Sequence, residues 1–267
     1  MRLDYPRRWQ LHLAPVQPQR LVVFVHGFGG RPTKTWNDFS EIHDDDWWRR
    51  ADLLFVGWSS VMRDVTTIAN LLSSELPSFF PKLPHELTRV GGIELRPSAT
   101  HYDDLFLVGH SLGGVVLRKF MLDEVQDWDS TRTEGELAPA VLNAHLRLFS
   151  PASAGFSPTG FLGLVHSIHS IREIGELMLA VSPNFQTLKI DSPRLRELRD
   201  ETVKYVDRGY TELRARILWA GKDHVVEPRR YPSDHREYSQ QDHTHGSVCK
   251  PNLDYRAPWT FVERGRP

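Results

Sequence analysis

The residues able to perform acyl-transfer chemistry stand in the order Ser111, Asp223, and the histidine pair His243 and His245. Ser111 lies in Gly109-His110-Ser111-Leu112-Gly113, a G-x-S-x-G match. A serine hydroxyl is a poor nucleophile at its own pKa, so the chemistry requires a histidine to take its proton and an acid to orient that histidine. Asp223 is preferred to Asp242 as the acid because it follows the apolar run 214–220, and active groups in open parallel sheets sit just past the carboxyl ends of strands. His243 and His245 are one residue apart, and spacing alone leaves both open as the base. A zinc site made of His243, His245 and Cys249 is the competing use of this segment, although H-x-H…C is a loose pattern for zinc.

A nucleophile needs elements that present it. The apolar run 105–108 leads straight into the motif, and the helical pattern of Val115, Val116, Leu117, Phe120 and Met121 follows it. Strand, sharp turn and helix is the context that a nucleophile elbow demands. The serine takes strained backbone angles, so its neighbours two positions either side must be small, as Gly109 and Gly113 are. Leu112 N–H, at the start of the helix, can face an oxyanion. The bland alternative is a glycine-rich helix start with an ordinary capping serine.

A second signature lies upstream. Residues 21–25 are apolar and rich in β-branching, as a strand buried on both faces of a parallel sheet should be. They run into His26-Gly27-Phe28-Gly29-Gly30, a loop able to bring a backbone N–H close to a reacting carbonyl. His26 reads as a structural histidine that holds this loop. The acidic run Asp44-Asp45-Asp46 reads as a solvated turn or helix start rather than a metal site.

The remaining elements alternate. A short strand is expected near 9–13, a buried strand over 53–58, an amphipathic helix over 61–76 and an irregular, proline-rich insertion over 77–100. After the elbow come a strand over 144–149, a helix over 192–205, a strand over 214–220, a short edge strand over 236–239 and a closing helix ending at 260–264. Strand alternating with helix predicts a doubly wound α/β fold with a mostly parallel sheet. Between the strands before and after residues 152–208, Phe161, Leu164, Val165, Ile168, Ile171, Ile174 and Met178 recur at near-helical spacing. They predict a helical cap inserted after the sixth strand of a single domain, residues 1–267. Most of this stripe should pack the cap onto the body, with Phe161, beside Gly160 and Gly163, the candidate for substrate contact.

Composition narrows the function classes. The chain has 267 residues, 40% hydrophobic and 25% charged, with a formal net charge of −1. That balance argues against a general nucleic-acid or anionic-membrane surface. The single cysteine, Cys249, excludes an internal disulfide and fits a reducing compartment, so a cytoplasmic location is expected. No apolar run reaches the roughly 18 residues of a spanning helix.

With these stretches in view, the chain resembles the α/β-hydrolase superfamily, and more narrowly the lipase-like esterases of the serine-active-site-containing and GPI-inositol-deacylase groups. The matching stretches are 22–30 continuing to Lys34-Thr35-Trp36, then 55–60, 108–116, 221–226 and 245–251, so both ends of the chain take part. The resemblance implies a cofactor-independent serine esterase acting on a small-molecule or lipid ester. It implies the order Ser111…Asp223…His245, with His245 rather than His243 as base because the spacing to Val248-Cys249-Lys250 matches that group's histidine loop. It also implies a second oxyanion donor after the earlier strand, Phe28 N–H. The stretch 151–155 reads Pro-Ala-Ser-Ala-Gly where such lipases have Thr-Pro-His-x-Gly, so no particular lipid follows. The rival classes are an acyltransferase on the same triad and a non-catalytic binding scaffold.

Overall fold

The computed structural model describes residues 9–41, 45–60, 62–90, 92–96, 98–156 and 189–267. Seven strands form the central sheet: β1 (Gln10–His12), β2 (Arg20–Val25), β3 (Ala51–Val56), β4 (Asp104–His110), β5 (His145–Phe149), β6 (Arg216–Lys222) and β7 (Tyr238–Thr244). Their spatial order is β1-β3-β2-β4-β5-β6-β7. β1 is antiparallel to β3, and the other pairings are parallel. Among the described residues the α-helices are α1 (Asp46–Arg49), α2 (Val65–Glu75), α3 (Leu112–Thr131), α4 (Pro193–Asp207) and α5 (Ala257–Arg264).

Side chains alternate across a strand, so the unbroken apolar run of β2 feeds two cores at once. Leu21, Val23 and Val25 join the cluster built with α2, α3 and α4, whereas Val22 and Phe24 join Trp36, Phe39, Trp48 and Phe261 on the α1 and α5 side. Each such fully buried side chain contributes roughly 1.5–3 kcal/mol. The parallel ladders align the carboxyl ends of β2, β4, β5 and β6 at one edge, where the chemistry-bearing loops emerge.

Local signals fix most element ends. The expected helix over 61–76 begins at Val65, because the Asp64 carboxylate accepts the Thr67 N–H at 2.7 Å. Ser192 does the same for α4 through Leu195 N–H. Asp45 caps α1 and Asp46 pairs with Arg50, the helix-start use of that acidic run. The segment 77–100 holds 3-10 turns and two ladders of two residues per strand. It is pinned to the sheet by the fully buried Asp52, which accepts from both Arg96 terminal nitrogens at 2.6 and 2.7 Å, from Tyr102 Oη at 2.5 Å and from Ala14 N–H at 2.7 Å.

One expectation is corrected. The edge strand expected over 236–239 runs over Tyr238–Thr244, so Gln241, Asp242 and His243 belong to β7 and not to a loop. Pairing with β6 on one side only leaves this strand half solvated, and its polar sequence hides it from a reading based on apolar runs. The segment expected to carry the cap leaves from beyond β5 and rejoins before β6. Its ends meet: Phe156 bridges Lys189 and also Val226. Residues 157–188, with Phe161 and the rest of the apolar stripe expected to form the cap, lie outside the described residues. Among the described residues no helix is long and apolar enough to cross a membrane.

Candidate active site

Ser111 is where β4 stops and α3 starts, with φ 55° and ψ −122°. A non-glycine residue held in so rare a conformation costs of order 1–3 kcal/mol and persists only when its surroundings over-determine it. Three main-chain bonds do so: Ser111 N–H to Phe149 O at 3.0 Å, Gly114 N–H to Ser111 O at 3.0 Å and Ala152 N–H to Ser111 O at 3.2 Å. The glycine at 113 is required by space, because a Cβ there would lie 2.0 Å from Val25 O. The loop after β2 closes on the other side, where a Cβ on Gly27 would fall 2.7 Å from Ser111 Cβ.

The three distant groups of the sequence reading meet. Ser111 Oγ lies 2.9 Å from His245 Nε2, and His245 Nδ1 lies 2.8 Å from Asp223 Oδ2. Asp223 sits directly past β6, and its other oxygen accepts Val225 N–H at 3.0 Å and Val226 N–H at 3.2 Å. Burial pushes the Asp223 carboxyl up; the hydrogen bond and charge of His245, with help from Val225 N–H and Ser150, reverse this and hold it below the usual carboxylate range. The side chains of His245 and Asp223 are 4% and 3% exposed, so their attraction is little screened by solvent. A carboxylate on one ring nitrogen and a hydroxyl on the other is the arrangement that draws a proton off serine and stabilises the imidazolium.

Leu112 is the first residue of α3, so its N–H is one of the first-turn amides that no intrahelical carbonyl can reach. Phe28 follows the Gly27 contact with Ser111 and is buried. The loop carrying it is held by Gly29 N–H to Ser60 Oγ at 2.7 Å and by His26. His26 Nδ1 donates to Gly27 O at 2.8 Å, its ring stacks on Trp58, and Trp58 Nε1 donates to His26 O. Burial lowers the His26 pKa to about 4, leaving a neutral ring that holds the loop.

The competing residues are elsewhere. His243 stacks on Tyr255 at 3.6 Å and contacts Ser247 Oγ. Asp242 pairs with Lys222 in solvent. Cys249 is buried with its thiol on Thr35 O, and burial pushes that thiol up to about 12. The zinc alternative does not assemble: among the described residues no three His, Cys, Asp or Glu side chains converge on a point that could hold a metal. One residue of the site was not singled out from sequence. His110, inside the motif itself, places its Nε2 2.8 Å from His245 O and its ring 4.9 Å from the His245 ring. The motif leaves that position unspecified, and His110 meets His245, 135 positions further along the chain, only in the folded protein.

No family model matches the chain, and no curated protein sequence does. Solved structures do. A mature lipase of Bacillus licheniformis, BlEst2, superposes with a TM-score of 0.55 at 15% identity, over 95% of this chain and 97% of its own. MGS-MChE2, an α/β-hydrolase enzyme from the metagenome of lagoon sediments at Mar Chica, Morocco, gives 0.51 at 14% identity, over 97% and 95%. YbtT, a type II thioesterase from the yersiniabactin pathway, gives 0.50 at 15% identity, over 96% and 95%. At such identities the likeness concerns architecture, and the fold of this chain is that of the α/β-hydrolases.

Proposed function

We propose that this chain is a serine hydrolase that cleaves carboxylic esters through an acyl-enzyme. The observation that carries this reading is the continuous line of contacts from Ser111 Oγ through His245 to Asp223 at 2.9 and 2.8 Å. Ser111 Oγ attacks the ester carbonyl carbon as His245 Nε2 takes its proton. Asp223 keeps the opposite nitrogen, Nδ1, protonated and faces the imidazolium as an anion. The N–H groups of Leu112 and Phe28 hold the negative oxygen of the tetrahedral intermediate, each such donor being worth roughly 3 kcal/mol in comparable sites. Collapse expels the alcohol, which receives the proton from His245. Water then repeats the sequence on the acyl-serine and releases the acid. The chain's own groups supply every proton transfer, so the reading calls for no cofactor.

The finer placement with lipase-like esterases of the serine-active-site-containing and GPI-inositol-deacylase groups rests on the wording of the loops. The cytoplasmic location rests on the solitary Cys249.

The test is covalent labelling with a fluorophosphonate ester, alongside hydrolysis of p-nitrophenyl esters of two to sixteen carbons. The parent should label at Ser111 and turn over part of the series. Ser111→Ala should lose both, with turnover down on the order of 10⁴–10⁶-fold and the fold intact. A folded parent that neither labels nor hydrolyses any member of the series refutes the reading.

A further inference from the structure

His110 is a histidine that the acyl chemistry does not consume, yet it touches both halves of the site. It is the last residue of β4 and the chain neighbour of Ser111, and it is 8% exposed. Its Nε2 lies 2.8 Å from the main-chain oxygen of His245. A carbonyl oxygen only accepts, so Nε2 carries the hydrogen and donates it. The ring is tilted against the His245 ring at 4.9 Å, and the Trp36 indole meets it edge-on at 6.4 Å.

The catalytic imidazole has both nitrogens committed, one to Ser111 and one to Asp223. Its backbone belongs to the turn after β7, at the outer edge of the sheet, where Ser247 N–H and Val248 N–H return to Thr244 O. We propose that His110 is a positioning residue that grips His245 by its carbonyl oxygen and so locks the base against the nucleophile elbow. Resting on the hydrolase reading, this adds a contact between the two main chains that its proton transfers do not include.

The grip must also be uncharged. A cation 4.9 Å from the His245 ring would oppose formation of the imidazolium in a buried site. Burial and the neighbouring His245 lower the His110 pKa to about 3, so His110 stays neutral while the base cycles. A neutral side chain with an N–H at similar reach should therefore replace it, and one without an N–H should not.

The test compares parent, His110→Gln and His110→Leu. The readouts are the fluorophosphonate labelling rate of Ser111, kcat and KM on one short ester, and thermal unfolding. His110→Leu should lower kcat and the labelling rate by roughly 10²-fold, the expected cost of displacing a catalytic group by about 1 Å. KM should stay within about threefold, and His110→Gln should recover most of the loss. A leucine variant that folds and labels at the parental rate overturns the proposal, as does a folded glutamine variant no faster than leucine. Should the leucine variant not fold, the glutamine arm decides. Imidazole NMR of Ser111→Ala separates this idea from the hydrolase reading. A His110 ring that is neutral and protonated on Nε2, with slow exchange at that hydrogen, supports the grip even in a protein that hydrolyses nothing. A His110 ring whose Nε2 exchanges freely refutes the grip and leaves the hydrolase reading standing.

Discussion

Replacing Gly113 by alanine should disable the site without removing any reacting group. The added Cβ would fall 2.0 Å from Val25 O, 2.7 Å from Val25 C and 2.8 Å from His26 O. All three are main-chain atoms at the end of β2, a strand paired on both sides, so they have no side-chain freedom with which to yield. A carbon meets a carbonyl oxygen comfortably at about 3.3 Å, so the first turn of α3 must retreat by about 1.3 Å. Overpacking a tight contact costs about 1–3 kcal/mol, and a clash with backbone belongs at the top of that range. For a protein of this size about 3 kcal/mol corresponds to a fall in Tm of roughly 6–12 °C. Moving Ser111 by about 1 Å should cost a further factor of roughly 10² in rate. Thermal unfolding and Ser111 labelling should therefore fall together. Gly246→Ala is the control, because a Cβ there meets nothing within 4 Å although the residue adjoins His245. If Gly113→Ala melts with the parent and labels at its rate, the close approach inferred between α3 and β2 is wrong.

Three further outcomes follow from the same geometry. His245→Ala should be nearly as inactive as Ser111→Ala, while His243→Ala, whose ring stacks on Tyr255, keeps most activity; the opposite ranking of labelling rates would move the base to His243. The Asp223 carboxyl is held below its ordinary value of about 3.9, so it stabilises the fold above that pH and the contribution disappears as pH falls through the folded value. Urea unfolding between pH 6 and pH 3 should thus show a steeper acid loss for the parent than for Asp223→Asn, and equal slopes would refute the inference. Asp234→Asn leaves the fully buried Arg118 facing a neutral amide in place of the carboxylate now 2.6 Å away; it should cost about 3–5 kcal/mol in denaturant unfolding, and a loss under about 1 kcal/mol would show that the pair is not buried as described.

The sheet and the meeting of Ser111, Asp223 and His245 were legible because their signals are local or ordered along the chain. The apolar runs of β2 and β4 announce buried parallel strands, G-x-S-x-G announces the elbow, and the acid announces itself by following β6. The illegible parts are polar contacts across long separations. Arg96 reaches Asp52 over 44 positions and Arg118 reaches Asp234 over 116, and nothing in either pair's immediate sequence names the other. β7 was cut short because Tyr238–Thr244 alternates polar residues on an edge that water reaches. His110 was overlooked because its role lies in a carbonyl contact, and carbonyls leave no mark in a sequence.

The wide spacing of the site has a consequence during synthesis. On the proposed mechanism the nucleophile, Ser111, precedes its base, His245, by 134 positions, which at about 5–20 residues per second is roughly 7–27 s of translation. Throughout that interval Ser111 lacks His245 to take its proton, and on that mechanism it is as unreactive as any surface serine. The strained turn is also incomplete at first, since two of its three clamps come from Phe149 and Ala152, made some 40 positions later. Under the proposed mechanism Ser111 becomes reactive only when β7 docks on β6 and delivers His245. Order of manufacture thus acts as a safety catch, set by which strand of the sheet is made last.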